Sequence, residues 1–373
     1  MAGKCIRKKQ TSDWERCLLC GQILPKDPEQ RVAGATGRAV CSDCLAVGQT
    51  IRSIPTPESQ PPKAAPPPIL PPGEVMTQLD RAIVGQEEAK RAVVMALWKQ
   101  SLRANGEEIP NASLLLCGPT GCGKTALVRE TARIMGLPFV SFDATSLSET
   151  GYRGRDAADM VRELVRRCGP DKAAHGVIFL DEFDKLAARK DNEYRAAYCR
   201  GTQYSLLKLI EGAEVDVDGD TIATGGILFL FGGAFTGLIG QRVYTQKTRA
   251  IGFDREEPEE VQEEPSLEPE DFISFGMEAE LMGRVGRCIR LYALTEEQLR
   301  KILLESELSV LGSYRSFFRG KGRELIMEEE MVAALVRKAL ERGMGARGLN
   351  ALVEEWVQPR LAQLAEELYE PTG

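Results

Sequence analysis

The sequence predicts an α/β fold in which a parallel sheet is covered by helices on both faces. Between about residues 75 and 290, short apolar runs alternate with helical patterns, an order that is typical of parallel sheets. Two of the runs, Leu114–Leu116 and Val177–Leu180, are apolar without interruption. Strands that are buried on both faces have this composition, so both runs are predicted to be central strands.

Composition divides the chain into four segments. Residues 1–50 hold five of the ten cysteines and are expected to form a small zinc-binding domain. Residues 51–74 are predicted to be a linker, because proline at this density favours an extended spacer. Residues 75–290 are assigned to the large α/β domain, and residues 291–373 to a small, mostly helical domain.

The overall composition excludes several classes of protein. The formal net charge of -7 disfavours nonspecific binding to nucleic acid or to anionic membranes. The longest uncharged run, Thr221–Gln241, is interrupted by glycines and threonines and does not match a membrane span. No apolar segment follows the basic N-terminus, so a cytoplasmic protein is expected. The chain has one histidine, His175, and acid–base chemistry must therefore come from carboxylates or a cofactor.

Four cysteines near the N-terminus have the spacing of a zinc site. Two pairs, Cys17 with Cys20 and Cys41 with Cys44, each enclose two residues and can each present two thiolates to one ion. Four thiolates complete a closed tetrahedral site with no position for water, so the predicted Zn²⁺ is structural. The alternative is two redox dithiols or free cysteines.

A phosphate-binding loop is predicted at Gly118–Thr125. This segment matches the pattern G-x-x-x-x-G-K-[ST], and an apolar strand precedes it while a helical pattern follows. Backbone N–H groups of such a loop cradle phosphate oxygens at a helix N-terminus. Lys124 is expected to reach the β- and γ-phosphates, and Thr125 to bind Mg²⁺. The alternative is a chance glycine-rich turn. The residues predicted to contact nucleotide here are Pro119, Thr120, Gly121, Cys122, Gly123, Lys124, Thr125 and Ala126.

Two adjacent acids follow the second apolar strand. Asp181 stands where a phosphate-bound Mg²⁺ requires an anion, and it is predicted to be a metal ligand. Glu182 is predicted to act as the general base that accepts a proton from the attacking water. The alternative for this pair is a helix cap.

Together these motifs resemble the AAA+ ATPases and, within them, the ClpX family, the unfoldase partners of the ClpP peptidase. The order of modules carries the resemblance, along with seven short segments. These are Ile83-Val-Gly-Gln86, Gly118-Pro-Thr-Gly121, Asp143-Ala-Thr145, Gly151-Tyr152, Leu207-Lys-Leu-Ile-Glu-Gly212, Gly232-Gly-Ala-Phe235 and Gly345-Ala-Arg-Gly-Leu349. The resemblance implies a homo-hexameric ATPase that unfolds tagged or unfolded proteins and delivers them to a ClpP-like peptidase.

The resemblance also implies roles for residues around the nucleotide. Ile83 and Val84 match residues that flank the adenine. Arg284 matches the arginine that reaches the ATP of the neighbouring subunit, although an intrachain salt bridge is the alternative. Arg347 matches the sensor that reports the γ-phosphate to the small domain.

Two further loops match the family in position. Tyr152, Arg153 and Gly154 occupy the axial pore loop that grips substrate, but an arginine stands where the family has an aliphatic residue. Ile251, Gly252 and Phe253 match the tripeptide that docks into clefts on ClpP, and apolar residues beside an acidic run need a partner to bury them.

These observations predict an ATP-driven ring unfoldase that works with a peptidase. The alternative is a remodelling or assembly factor that uses the same motor without a protease. A motor that acts on nucleic acid is disfavoured by the acidic charge balance. The expected cofactors are ATP, Mg²⁺ and Zn²⁺, and no membrane or nucleic-acid partner is expected.

Overall fold

The computed structural model of the chain describes residues 17, 20, 22–23, 31–33, 39–42, 44, 68–111, 113–147, 156–188, 193–238 and 267–369. The chain divides into two compact units, residues 1–64 and residues 65–373. In the described residues of the first unit, strands β1 (Arg31–Ala33) and β2 (Ala39–Cys41) pair in antiparallel fashion, with Arg31 opposite Cys41. The second strand therefore ends at one of the four clustered cysteines.

A five-stranded parallel sheet forms the centre of the second unit and confirms the predicted fold class. The strands of this unit are β3 (Leu114–Cys117), β4 (Phe139–Asp143), β5 (Val177–Asp181), β6 (Glu214–Val217), β7 (Asp220–Ala223), β8 (Leu228–Gly233) and β9 (Arg287–Arg290). The sheet has the order β4-β5-β8-β3-β9, and each neighbouring pair is parallel. All five carboxyl ends therefore lie along one edge of the sheet, where ligands bind in folds of this kind.

Helices cover both faces of this sheet. Those of the large domain are α1 (Pro72–Ala82), α2 (Glu87–Ala104), α3 (Lys124–Ile134), α4 (Asp159–Cys168), α5 (Pro170–Ala173), α6 (Glu193–Glu211), α7 (Pro269–Phe275) and α8 (Ala279–Val285). Leu114 and Leu116 pack in the apolar cluster of α1, α2 and α3, whereas Leu115 packs on the other face with α4, α6 and α8. Both faces of β3 are buried, which explains why the strand is apolar at every position.

The acidic segment between residues 213 and 224 forms a β-hairpin. Strands β6 and β7 pair in antiparallel fashion around Asp218 and Gly219, which both have positive φ angles of 51° and 100°. An Asp-Gly pair in this conformation makes the tight turn that suits the twist of a two-stranded ribbon. Val215, Val217 and Ile222 are buried against the large domain, so the acidic side chains point outward.

The C-terminal region is helical and has its own apolar core, as predicted. It contains α9 (Glu296–Leu304), α10 (Val310–Gly320), α11 (Glu329–Arg342) and α12 (Gly345–Tyr369). Helix α9 begins with a capping box, in which the side chains of Thr295 and Gln298 each accept a hydrogen bond from the other residue's backbone N–H group. The Ser306 hydroxyl donates to the carbonyl oxygen of Ala82 at 2.6 Å, which joins this region to the end of α1.

Across the described part of the chain, none of the helices combines the length and the apolar character that crossing a membrane requires. The expectation of a cytoplasmic protein stays a prediction.

Candidate functional site

The predicted phosphate loop lies between the end of β3 and the start of α3. Gly121 and Gly123 have φ angles of 77° and 103°, a left-handed conformation that L side chains rarely adopt. The ammonium group of Lys124 is nearly buried and donates to the carbonyl oxygens of Gly118 at 2.7 Å and Pro119 at 3.0 Å. The loop thus encloses one cation at a helix N-terminus, an arrangement that suits phosphate.

Thr125 and Asp181 meet although 56 residues separate them. The Thr125 hydroxyl donates to Asp181 Oδ2 at 2.5 Å, because α3 begins beside the carboxyl end of β5. A hydroxyl and a carboxylate that converge beside a phosphate loop provide the hard oxygen atoms that Mg²⁺ prefers. The residues present therefore fit a magnesium ion.

Glu182 directly follows Asp181 and has an unusual backbone. Its φ angle is 54°, a left-handed value that is rare outside glycine, and its side chain is exposed. Its N–H donates to Asp181 Oδ1 at 2.9 Å. Strained backbones of this kind cluster at functional sites, and here the strained residue directly follows the acid that contacts Thr125.

One cavity of about 510 Å³ brings the predicted catalytic residues together. Lys124, Thr125, Asp181, Glu182 and Arg347 all line it, although Arg347 comes from the C-terminal helix α12. Its full lining is Thr120, Gly121, Gly123, Lys124, Thr125, Ala126, Arg129, Asp181, Glu182, Asp184, Lys185, Ala234, Ala346, Arg347 and Asn350. The cavity combines cations for phosphate with carboxylates for metal and proton transfer.

Two predicted loop residues lie outside the cavity wall. Cys122 is 3% exposed and packs in the apolar cluster below the loop, where burial raises the pKa of its thiol. Pro119 contributes its carbonyl oxygen to the Lys124 ammonium group. Any nucleotide contact of Cys122 therefore involves its backbone.

The cavity also contains residues that the sequence did not single out. Asp184 is nearly buried, and its Oδ1 accepts a hydrogen bond of 3.1 Å from the N–H of Ala234, just beyond β8. Its Oδ2 lies 3.2 Å from the ammonium group of Lys185. Asp184 thereby connects the turn after β5 to the end of β8. The only sequence signal for it is its position three residues after Asp181.

Helix α12 touches the phosphate loop through backbone atoms. The N–H of Ala346 donates to the carbonyl oxygen of Gly121 at 3.0 Å. A Cβ atom on Gly121 would lie 2.0 Å from the carbonyl oxygen of Met344, so no side chain fits between loop and helix. This contact holds the N-terminus of α12, and with it Arg347, at the mouth of the loop.

The predicted adenine contacts are less direct. Ile83 is buried in the apolar cluster of α1, α2 and α3, and Val84 is half-buried. Neither residue lines the 510 Å³ cavity. The neighbouring Gln86 exchanges two hydrogen bonds with the backbone of Tyr292, of 2.8 and 3.0 Å, at the start of the small domain. Adenine binding by Ile83 and Val84 stays a prediction.

Arg284 forms the intrachain salt bridge that the sequence left open. Its guanidinium lies 3.0 Å from a carboxylate oxygen of Glu211, and the two side chains are 60% and 43% exposed. An ion pair this exposed contributes at most about 1 kcal/mol and exchanges readily. Contact with a neighbouring subunit stays a prediction.

The four N-terminal cysteines converge on one point. Their sulfur atoms all lie within 4.8 Å of one another, and the Sγ atoms of Cys20 and Cys41 are 3.8 Å apart. Tetrahedral Zn²⁺ with bonds of about 2.3 Å separates its sulfur ligands by about 3.8 Å. Hydrogen bonding to the Cys41 thiol raises the pKa of Cys44 to about 12, so the four thiols do not ionise together without a cation. The donor set fits zinc.

Two predicted sites lie outside the described residues. These are the pore-loop residues Tyr152, Arg153 and Gly154 and the docking residues Ile251, Gly252 and Phe253.

Comparison with known proteins shows which families the chain resembles. Residues 114–238 match the family model of the "ATPase family associated with various cellular activities (AAA)", and residues 294–369 match that of the "C-terminal, D2-small domain, of ClpB protein". Three proteins named as the ATP-binding subunit ClpX of the ATP-dependent Clp protease are similar over most of their length. Those of Borrelia duttonii and Borrelia recurrentis are each 34% identical over 380 residues, which covers 94% of this chain and 87% of theirs. That of Treponema denticola is 32% identical over 367 residues, which covers 91% and 87%.

Proposed function

The chain belongs to the ClpX family of AAA+ ATPases, and we propose that it unfolds proteins and passes them to a ClpP-like peptidase. The observation that supports this proposal best is the convergence of five residues on one cavity, namely Lys124, Thr125, Asp181, Glu182 and Arg347. These come from three separate places in the fold, namely the phosphate loop, the end of β5 and the start of α12, and a phosphate-transfer site uses all of them together.

We assign one role in ATP hydrolysis to each of these side chains. Lys124 exchanges its loop carbonyls for the β- and γ-phosphates, and the loop backbone holds the remaining phosphate oxygens. Thr125 and Asp181 hold Mg²⁺, which neutralises charge on the phosphates when it is bound. Glu182 accepts the proton of the attacking water, because its exposed carboxylate faces the same cavity.

Arg347 connects this chemistry to movement. Its guanidinium borders the cavity from α12, while the rest of that helix packs in the core of the small domain. A guanidinium that binds the γ-phosphate loses this contact when the phosphate leaves. The small domain then rotates about the place where the N-terminus of α12 contacts the phosphate loop, because the γ-phosphate no longer holds Arg347.

The finer assignments concern the assembly. We propose a homo-hexameric ring in which Arg284 completes the ATP site of the next subunit. Tyr152, Arg153 and Gly154 contact unfolded or tagged substrates in the axial pore, and Ile251, Gly252 and Phe253 dock on the peptidase. Zn²⁺ bound by Cys17, Cys20, Cys41 and Cys44 stabilises the N-terminal module.

The first test separates ATP binding from hydrolysis. Glu182→Gln should bind ATP but lose nearly all turnover and all unfolding of a folded fluorescent reporter, because an amide does not accept the proton. Lys124→Ala should lose binding itself. Glu330→Gln, an exposed position at the start of α11, is the matched control and should behave as wild type. Normal turnover in Glu182→Gln would rule out its role as the base.

The second test addresses the peptidase. Phe253→Ala removes the largest apolar side chain of the proposed docking segment, and such anchors are commonly worth about 2 kcal/mol or more. The variant should lose activation of a ClpP-type peptidase while its ATPase rate persists. If the wild-type chain unfolds the reporter with ATP but activates no peptidase, the chain is a remodelling factor instead.

A further inference from the structure

We propose that Cys117 and Cys288 are a redox modification site, where a reversible disulfide lowers the rate of ATP hydrolysis. Cys117 is the last residue of β3, directly before the phosphate loop. Cys288 lies in β9, the edge strand that leads out of the large domain. The two sulfur atoms are 3.0 Å apart, closer than an ordinary contact between thiols.

Strand register explains why these two side chains meet. Leu115 lies opposite Cys288, and Cys117 lies opposite Arg290, on parallel strands. Side chains two residues apart in a strand share a face, so both sulfur atoms leave the same face of the sheet. That face is the one covered by α4, α6 and α8. Bond formation requires the sulfurs to approach by about 1 Å, to about 2.05 Å. The Cα atoms of a diagonal pair are about 7–8 Å apart, so the two strands must also move closer to bring them within the roughly 7 Å that a disulfide spans.

The two thiols differ in access to solvent. Cys117 is fully buried, and burial raises the pKa of its thiol well above the ordinary range. Cys288 is half-buried on the edge strand. An oxidant therefore reaches Cys288 first, and Cys117 then completes the bond.

The chemistry needs a small-molecule disulfide such as oxidised glutathione. The Cys288 thiolate attacks one sulfur, which breaks the S–S bond of the reagent and releases one glutathione thiolate. Cys117 then gives up its proton and attacks the Cys288 sulfur, which releases the second glutathione. Two protein thiols are oxidised to one disulfide, and one glutathione disulfide is reduced to two thiols.

This bond would act on the phosphate loop because Cys117 directly precedes the loop and the segment that follows Cys288 packs against it. The carbonyl oxygen of Cys117 accepts a hydrogen bond of 2.7 Å from the N–H of Leu291, three residues after Cys288. A Cβ atom on Gly118 would lie 2.5 Å from the carbonyl oxygen of Leu291, so the loop has no room to shift in that direction. Displacing a catalytic group by 1 Å can slow a reaction about a hundredfold, and this displacement is shared between two strands. We expect a loss of about tenfold.

The experiment uses the full-length, zinc-loaded protein. It is treated natively with oxidised glutathione at pH 8.5, and then alkylated, digested and analysed by mass spectrometry. We expect a linked peptide pair that joins Cys117 to Cys288. We also expect ATP turnover to fall about tenfold and to recover with dithiothreitol.

Two variants separate this site from other cysteines. Cys288→Ser should keep its ATPase rate before and after oxidation, and Cys288→Val repeats the test with an apolar side chain in case serine impairs folding. Cys168 donates to the carbonyl oxygen of Leu164 at 3.1 Å and serves as an internal reference for alkylation. The proposal is overturned if the linked peptide does not form, if turnover is unchanged once it forms, or if both variants lose turnover as wild type does.

Discussion

At the scale of single residues, Gly343, just before α12, and Gly345, the first residue of α12, separate the effect of backbone strain from that of contact with the nucleotide site. Gly343 and Gly345 both have positive φ angles, of 63° and 54°. A Cβ atom on Gly343 meets no atom within 4 Å, whereas one on Gly345 would lie 2.5 Å from the carbonyl oxygen of Gly121. The two positions therefore carry the same conformational demand but differ in what surrounds them.

We expect alanine at either position to destabilise the chain by about 1 kcal/mol through its left-handed backbone. Only Gly345→Ala should also reduce ATP turnover, because it pushes α12 and Arg347 away from the phosphate loop. Thermal unfolding and steady-state ATPase assays measure the two effects separately. Equal turnover in the two variants would show that contact between α12 and the loop does not matter for hydrolysis.

Residues that belong to a short motif could be predicted from sequence, even where the motifs lie far apart in the chain, whereas residues of the site that belong to no motif could not. Lys124 and Thr125 belong to one loop whose spacing alone implies phosphate and metal. Asp184 is identified only by the structure, in which its carboxylate accepts a hydrogen bond from the N–H of Ala234, fifty residues away. Arg129 likewise enters the cavity because α3 turns it there, and no local pattern marks it.

At the scale of elements, continuity of apolar residues identified the central strands well. β3 and β5 are each one residue longer than the predicted runs, since the final Cys117 and Asp181 still pair with neighbours. No strand was predicted at β6 or β7, because runs of four residues with alternating acids carry too few apolar positions to indicate a strand. The order of the strands could not be predicted from the sequence either. The contact between Cys117 and Cys288 depends on that order, because it makes β3 and β9 neighbours.

The N-terminal module gives the prediction that belongs to this scale. Full-length protein purified under anaerobic conditions should contain one Zn²⁺ per chain, measured by elemental analysis. Cys41→Ser should lose the metal because a three-thiolate site is no longer closed. Cys199→Ser, which changes a buried cysteine of α6 outside the cluster, should keep it.

Removing the module should leave the motor intact. Every residue that lines the nucleotide cavity lies in the second compact unit, so deletion of residues 1–64 should preserve most of the ATPase rate. For the zinc prediction above, full-length protein that contains no zinc although its four cysteines are reduced would exclude the metal site. Loss of ATPase activity on deletion would instead show that the two units depend on each other.

At the scale of the whole molecule, the question is where Arg284 acts. It acts either in the salt bridge with Glu211 of its own chain or at the ATP site of a neighbouring subunit. Its partner Glu211 is 43% exposed and lies at the end of α6. If the salt bridge itself matters, Glu211→Gln and Arg284→Ala should have the same effect. If Arg284 acts on the neighbouring subunit, only Arg284→Ala should lose ATP turnover, and Glu211→Gln should be close to wild type.

Mixed rings extend this comparison to the assembly. Lys124→Ala chains lack a phosphate contact but keep Arg284, and Arg284→Ala chains have the reverse defect. In a closed ring assembled from equal amounts of both, about a quarter of the interfaces pair an intact Lys124 with an intact Arg284. The mixture should therefore recover about a quarter of the wild-type ATPase rate, although each variant alone has almost none. A matched mixture of Lys124→Ala with Glu182→Gln should stay inactive, because both defects lie on the same side of the interface. Recovery in the second mixture, or none in the first, would contradict an arginine that acts between subunits.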